Sequence, residues 1–264
     1  MMMVATAIPK PLTNNVIELS FINGKLSKKP EVRYNKDGSI DKRNPSGYAG
    51  VSKEVYAFNT MEEIKAMIGL FDKHIDEAPD ENKKQIAKRN KMMFLIGINL
   101  GIRASDLCSL KWSFFFDKDG KFKDFYTLQP KKTRKKGKFV KLYFNNTVKK
   151  AITDYVQEYP IEDMEDYLFK SRKGDKSITE TSLGRIIKSA AKEIGIEKNI
   201  CSHSLRKTFG FWAWHNAEDK NKALVTLQMI FNHSDSRVTL RYIGLLNDEV
   251  SDVFNSLDLG LDYL

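Results

Sequence analysis

Histidine and cysteine are scarce in this chain: four histidines and two cysteines among 264 residues. Cys108 and Cys201 stand far apart and in no metal-ligand spacing. That argues against a disulfide scaffold and a cysteine-based zinc module, and points to a reduced, cytoplasmic setting. Aspartate and glutamate are scattered without a metal-ligand grouping, so no metal site is expected. No glycine-rich loop of the Walker type cradles a nucleotide phosphate, and no Ser-His-Asp spacing suggests acyl chemistry. Apolar runs fall short of the length that spans a bilayer. The opening MMMVATAIPKP lacks a basic n-region and a long h-region, so it does not read as a signal peptide. Internal repeats are also missing.

What the chain has is positive charge. Its formal net charge is +10 and its pI is about 9.3. Such an excess favours an anionic partner, of which nucleic acid is the commonest. The 41% hydrophobic fraction is enough for a core, and the length fits one large domain or one domain with a smaller appendage.

Residues 1–55 carry turn signals in quick succession: PKP, NNV, NGK, NKDGS and NPSGYAG. They read as a basic, loop-rich arm with one short strand within 16-VIELSFI-22. Helical periodicity begins at 60-TMEEIKAMIGLF-71, where Thr60 and Glu63 form a capping-box signature. A second helix is expected over 82–101. It is polar at its start and apolar nearly all round at its end, so it should enter the core. A short helix, 103-RASDLCSLKW-112, follows. Residues 113–116 and 121–129 then read as a hairpin turning at Asp119–Gly120. A third strand is expected at 138-KFVKLYF-144. Further helices are expected near 146–158, 179–194, 204–216, 222–231 and 237–246, with an amphipathic stretch over 248–260. The fold class is therefore α+β, mainly α-helical, with a small three-stranded antiparallel sheet.

Four clusters could carry chemistry, and each also has a bland reading. Arg103 and Asp106 in GIRASDLCSLKW could simply pair across one helical turn. Lys131, Lys132, Arg134, Lys135, Lys136, Lys138 and Lys141 crowd one loop with no acid among them. Such a run is usually solvated, but held between two strands it suits a phosphate backbone. His203 and Arg206 in CSHSLRKTFG share a helix face. The fork of arginine matches phosphate oxygens, and histidine exchanges protons near neutrality. The bland version is a capping histidine and a paired arginine. His233 and Tyr242 lie in NHSDSRVTLRYIG, where the tyrosine could be an ordinary half-buried aromatic. His74 reads as a surface residue, His215 as structural, and Trp212 and Trp214 as packing residues.

The order of these clusters is more telling than any one of them. GIRASDLCSLKW, LQPKKT, HSLRKTFG and FNHSDSRVTLRYIG, spread over about residues 56–250, resemble the tyrosine recombinase or phage integrase family. The resemblance implies that family's catalytic-domain fold over 56–246. It implies catalytic roles for Arg103, Lys132, His203, Arg206, His233 and Tyr242, with Asp106 in support. In the hairpin, Lys131, Lys135 and Lys136 compete with Lys132 for the lysine role. Lys131, Arg134, Lys135, Lys136, Lys138, Lys207 and Arg241 become candidate DNA contacts. Asn232 departs from the pattern, since glycine is frequent before that histidine.

The resemblance further implies site-specific cleavage and rejoining of double-stranded DNA through a 3′-phosphotyrosyl intermediate. No metal or cofactor is implied. A homo-oligomer, a tetramer, is expected on DNA, with no membrane, in a bacterial cytoplasm or a phage-infected host. A type IB topoisomerase-like enzyme and a catalytically silent DNA-binding regulator remain alternatives. Most members carry a helical core-binding domain ahead of the catalytic one. Here the short arm either substitutes for it or marks a short or truncated member. The tail 247–264 would dock on a neighbouring protomer, or else pack in cis.

Overall fold

The computed structural model describes residues 19–22, 25–28, 54–171 and 174–245, with residues 19–22, 25–28, 133, 135 and 136 described by their backbone only. Contacts divide the chain into two units, 1–54 and 55–264. In the first unit, β1 (Leu19–Ile22) pairs antiparallel with β2 (Lys25–Lys28), Leu19 opposite Lys28. The expected strand over 16–22 thus occupies its second half. The rest of the arm and the tail 247–264 lie outside the described residues.

The second unit is mainly helical. Helix α1 (Met61–Asp76) starts where Thr60 Oγ1 accepts from the Glu63 amide at 3.2 Å. The Glu63 carboxylate reaches back to the Asn59 amide at 3.1 Å, one residue beyond the usual box. Ile64, Met67, Leu70 and Phe71 form its buried stripe. Helix α2 (Glu81–Leu100) begins at an Asp80 cap and buries Met92, Met93, Phe94, Ile96 and Leu100. Being apolar nearly all round, its second half is central, packed by α1, by α4 (Asn146–Val156) and by α6 (Ser202–His215). The short α3 (Ala104–Cys108) follows directly, and α5 (Glu180–Glu193) packs against α1, α3 and α6. His74 is more than a surface residue, since its Nε2 lies 3.0 Å from Glu193 Oε1 and so joins α1 to α5.

The sheet of this unit has two strands, not three. β3 (Phe125–Leu128) pairs antiparallel with β4 (Val140–Tyr143), Phe125 opposite Tyr143. The expected first strand, 113–116, is largely a 3₁₀ turn over Trp112–Phe114, with one bridge from Phe116 to Phe122. Its backbone donors are engaged elsewhere: the Trp112 amide bonds Asp166 O and the Ser113 amide bonds Met164 O. The Asp117 carboxylate also accepts from the amides of Asp119 and Lys121, each at 2.9 Å, and curls the chain. Phe115 is fully buried and Phe114 stacks on Tyr126 at 4.1 Å, so the segment is still core.

Two apolar clusters result. The larger joins α1–α5 to Leu205 and Trp212 of α6. The smaller holds Leu227 and Phe231 of α7 (Lys220–Phe231), Ile243 of α8 (Ser236–Ile243) and Leu245. Phe209, Phe211 and Trp214 of α6 pack onto the second. Helix α6 therefore has one foot in each cluster, and Arg206 is buried between them.

Candidate active site

Arg103 and Arg206 converge on one backbone oxygen. Arg206 donates to Phe231 O at 3.2 Å and to Gly101 O at 2.5 Å. Arg103, at the N-cap position of α3, donates to the same Phe231 O at 3.4 Å. Phe231 ends α7, and Gly101 is the C-cap of α2. Both acceptors are therefore carbonyls that helix ends leave without intrahelical donors, where the negative end of each macrodipole favours a cation. Burial, seconded by Arg103, lowers the Arg206 pKa to about 10, so it stays charged at neutral pH. A guanidinium has five N–H donors, so these bonds leave Arg206 donors for a ligand.

Gly101 allows this meeting. It sits at φ 59, and a Cβ there would lie 2.2 Å from the Phe209 ring. Gly210 does the same on the other side, where a Cβ would fall 2.6 Å from Ile243 and 2.9 Å from Phe231.

Phe231 organises the remainder. Its ring lies under the Arg206 guanidinium at 4.3 Å. It meets Tyr242 edge-on at 5.3 Å and His233 at 5.4 Å. His233 and Tyr242 are themselves edge-to-face at 5.2 Å. His233 Nδ1 lies 3.1 Å from the hydroxyl of Thr239, a fully buried residue one turn before Tyr242. Burial and then the two arginines push the His233 pKa down, which keeps its ring neutral at pH 7.

The Tyr242 phenol lies within electrostatic reach of Arg206. Burial raises its pKa, and the pull of Arg206 and Arg103 opposes this without overcoming it. The phenol is thus protonated at neutrality, whereas the positive field alone would favour the phenolate. Lys207 stands over the Tyr242 ring at 5.5 Å.

Arg103 and Asp106 do not form the ion pair that their spacing allows. The buried Asp106 carboxylate instead accepts from the Lys131 amide at 2.9 Å, which ties the lysine loop to α3. That loop is a 3₁₀ turn, Lys131–Lys136, ended by Gly137 at φ 63. Lys131, Lys132 and Arg134 are exposed on it. Arg103, Asp106, Arg206 and Lys138 line a common cleft, and Lys132 is not among its lining residues. His203 is exposed in the first turn of α6, and Arg241 is exposed on α8. The α6 cap is a bond from the Cys201 amide to Ser204 Oγ at 3.1 Å, so His203 is not the cap. His215 is also exposed and stacks on Phe211 at 5.7 Å.

Phe231 and Thr239 escaped the sequence reading. The signal for Phe231 was its place at the end of an apolar helix, just before a residue able to turn left-handed. Thr239 offered none beyond its helical spacing from Tyr242.

Among the described residues no cluster of three or more His, Cys, Asp or Glu could hold a metal ion. None of the described helices is long and apolar enough to cross a membrane.

This arrangement has relatives. A model of the phage integrase family matches residues 61–249. The probable integrase/recombinase YoeC of Bacillus subtilis is 35% identical over 161 residues, 61% of this chain and 80% of that protein. Tyrosine recombinase XerD of Oceanobacillus iheyensis is 26% identical over 172 residues, 65% of this chain but 55% of its own length. Among solved structures, XerA recombinase aligns with TM-score 0.54 at 20% identity, over 78% of this chain and 64% of that one. XerH recombinase, bound to palindromic difH substrate after cleavage, aligns with TM-score 0.55 at 16% identity, over 78% and 54%. The chain thus spans little more than half the length of two of these four proteins.

Proposed function

The chain belongs to the phage integrase family, and from that premise we propose that it is a site-specific recombinase that cuts and rejoins double-stranded DNA through Tyr242. The observation that carries the reading is the convergence of Arg103 and Arg206 on Phe231 O, beside the Tyr242 phenol. Two cations held rigidly at one point suit the non-bridging oxygens of a phosphodiester. They also oppose the charge that grows on those oxygens in the transition state. The likeness to recombinases whose solved structures contain DNA supports the same reading.

In this scheme the Tyr242 oxygen bonds to phosphorus as the P–O5′ bond breaks. The 3′ end becomes a phosphotyrosyl ester, and a hairpin lysine, Lys132, gives its proton to the departing 5′-oxygen. Because burial keeps the phenol protonated, attack needs a base, and His203 takes that role on bound DNA. Neutral His233 supports the phosphate by hydrogen bonding. Reverse attack by a 5′-hydroxyl rejoins the strand, so neither metal nor nucleotide is required. Lys131, Arg134, Lys135, Lys136, Lys207 and Arg241 supply backbone contacts, and exchange takes place in a tetramer on DNA.

The test begins by trapping covalent DNA–protein adducts with detergent in cells expressing the full chain, and sequencing the attached DNA. A nicked duplex of that sequence should then give a 3′-linked adduct in vitro, lost in Tyr242→Phe. Binding without an adduct would leave a DNA-binding regulator. Supercoil relaxation without partner exchange would leave a topoisomerase.

A further inference from the structure

Lys138 stands apart from the other loop lysines. It follows the left-handed Gly137 and lines the cleft that holds Arg103 and Arg206. Its ammonium donates to the side-chain oxygen of Asn232. Asn232 is the C-cap of α7, at φ 54 and ψ 49, and the only non-glycine residue at positive φ among those described. Glycine would take that turn at least as easily, because only glycine meets no Cβ penalty there. Asparagine accepts the strain and adds an oxygen that glycine cannot offer. Asn232 itself stands in sequence between Phe231, whose carbonyl holds both arginines, and His233.

We infer that Lys138 is a third cationic ligand of the scissile phosphate, and that Asn232 is the positioning residue that holds it at the mouth of the arginine cleft. This rests on the recombinase reading for its substrate, but the anion site stands on its own geometry. In the cleavage step Lys138 keeps its proton. The Tyr242 O–P bond forms, the P–O5′ bond breaks, the phenol proton goes to His203, and the 5′-oxygen takes a proton from Lys132. Lys138 contributes charge to the non-bridging oxygens, where the transition state carries more negative charge than the ground state. Holding the ammonium on Asn232 keeps its long stem ordered before DNA arrives, which lowers the entropy cost of placing it.

Inorganic phosphate titrated into the full chain is the first test. Lys138→Ala and Asn232→Gly should each weaken phosphate binding about threefold to tenfold. Lys118→Ala, which removes an exposed charge outside the cleft, should not. Arg206→Lys, which should also weaken binding, marks the cleft as the place. Equal affinities in wild type, Lys138→Ala and Asn232→Gly would overturn the inference, whatever the catalysis.

The second test uses the nicked duplex in three forms. On the natural phosphodiester, Lys138→Ala should slow cleavage about tenfold to a hundredfold, and Asn232→Gly less. With methylphosphonate at the scissile position one non-bridging charge is gone, and the Lys138→Ala penalty should shrink. With a bridging 5′-sulfur, a leaving group that needs no proton, the penalty should persist. Rescue by the 5′-sulfur would make Lys138 the proton donor and overturn the assignment. Asn232→Gly at the wild-type rate would overturn its positioning role. Circular dichroism checks that both variants fold. If wild type forms no adduct at all, the recombinase reading fails, and the phosphate titration still decides Lys138.

Discussion

The carbonyl oxygen of Phe231 accepts from Arg206 at 3.2 Å while the ring of the same residue lies 4.3 Å beneath that guanidinium. One residue thus fixes the arginine twice, once through its backbone and once through its face. The end of α7 becomes the point from which the cleft is built, and this sets what removing the arginine costs.

Arg206→Ala deprives two buried carbonyls, Gly101 O and Phe231 O, of a charged donor. A buried acceptor left unpaired costs about 1–3 kcal/mol. We expect a loss of roughly 2–3 kcal/mol in urea unfolding, with cleavage down about a thousandfold or more. Arg206→Lys should regain part of the stability and little of the activity, since an ammonium lacks the fork.

Gly210→Ala places a methyl group 2.6 Å from Ile243 and 2.9 Å from the Phe231 ring. Both neighbours are fully or almost fully buried, so α8 or Phe231 must shift. Overpacking of this kind costs about 1–3 kcal/mol. The shift falls on the elements that carry Tyr242, so single-turnover cleavage should drop more than the stability loss explains. A wild-type rate in a folded Gly210→Ala protein would contradict this packing.

Asp106→Ala removes the carboxylate that accepts from the Lys131 amide. The lysine loop then loses its tie to α3. Trypsin should cut within 131–138 faster than in wild type, and added duplex DNA should protect wild type better than the variant. Unchanged cleavage rates would show that the tie does not hold the loop.

His233 brings a pH dependence of stability. Burial and the two arginines lower its pKa in the folded chain, while the unfolded residue titrates near its ordinary 6.5. As pH falls below that value the unfolded chain binds a proton that the folded chain refuses. The contribution is therefore present above about pH 6.5 and lost as pH drops through the lowered folded value. Asp235 pulls the other way but is the smallest influence. Urea unfolding at pH 7.5 and 5 should show a decline in wild type that is shallower in His233→Gln. Equal declines would mean that another group carries the effect.

Periodicity and end signals made the helices legible. Thr60, Asp80, Asn145, Thr179, Asp219 and Asp235 each cap the helix they precede. The first expected strand failed because the hydrophobic run SFFF says that a segment is buried, not how its amides are paired. The Ser113 amide went to Met164 O in the loop 163–166, and those of Phe114, Phe115 and Phe116 turned back to Lys111 O and Trp112 O, pairings that the hydrophobic pattern does not carry.

The order of the motifs, through their resemblance to the tyrosine recombinase family, made Arg103, Arg206, His233 and Tyr242 candidates, a set of cations, a proton carrier and a nucleophile that suits phosphoryl chemistry. Their meeting was not written locally. Tertiary structure alone decided that Phe231 would hold both arginines, that Asp106 would bind a loop amide instead of Arg103, and that burial would outweigh the arginine field at Tyr242. It also decided that Lys138, not Lys132, would line the arginine cleft. The physical reason is shared by all four: each depends on which carbonyls and which apolar faces lie against a side chain once the helices pack, and sequence spacing does not carry that distance.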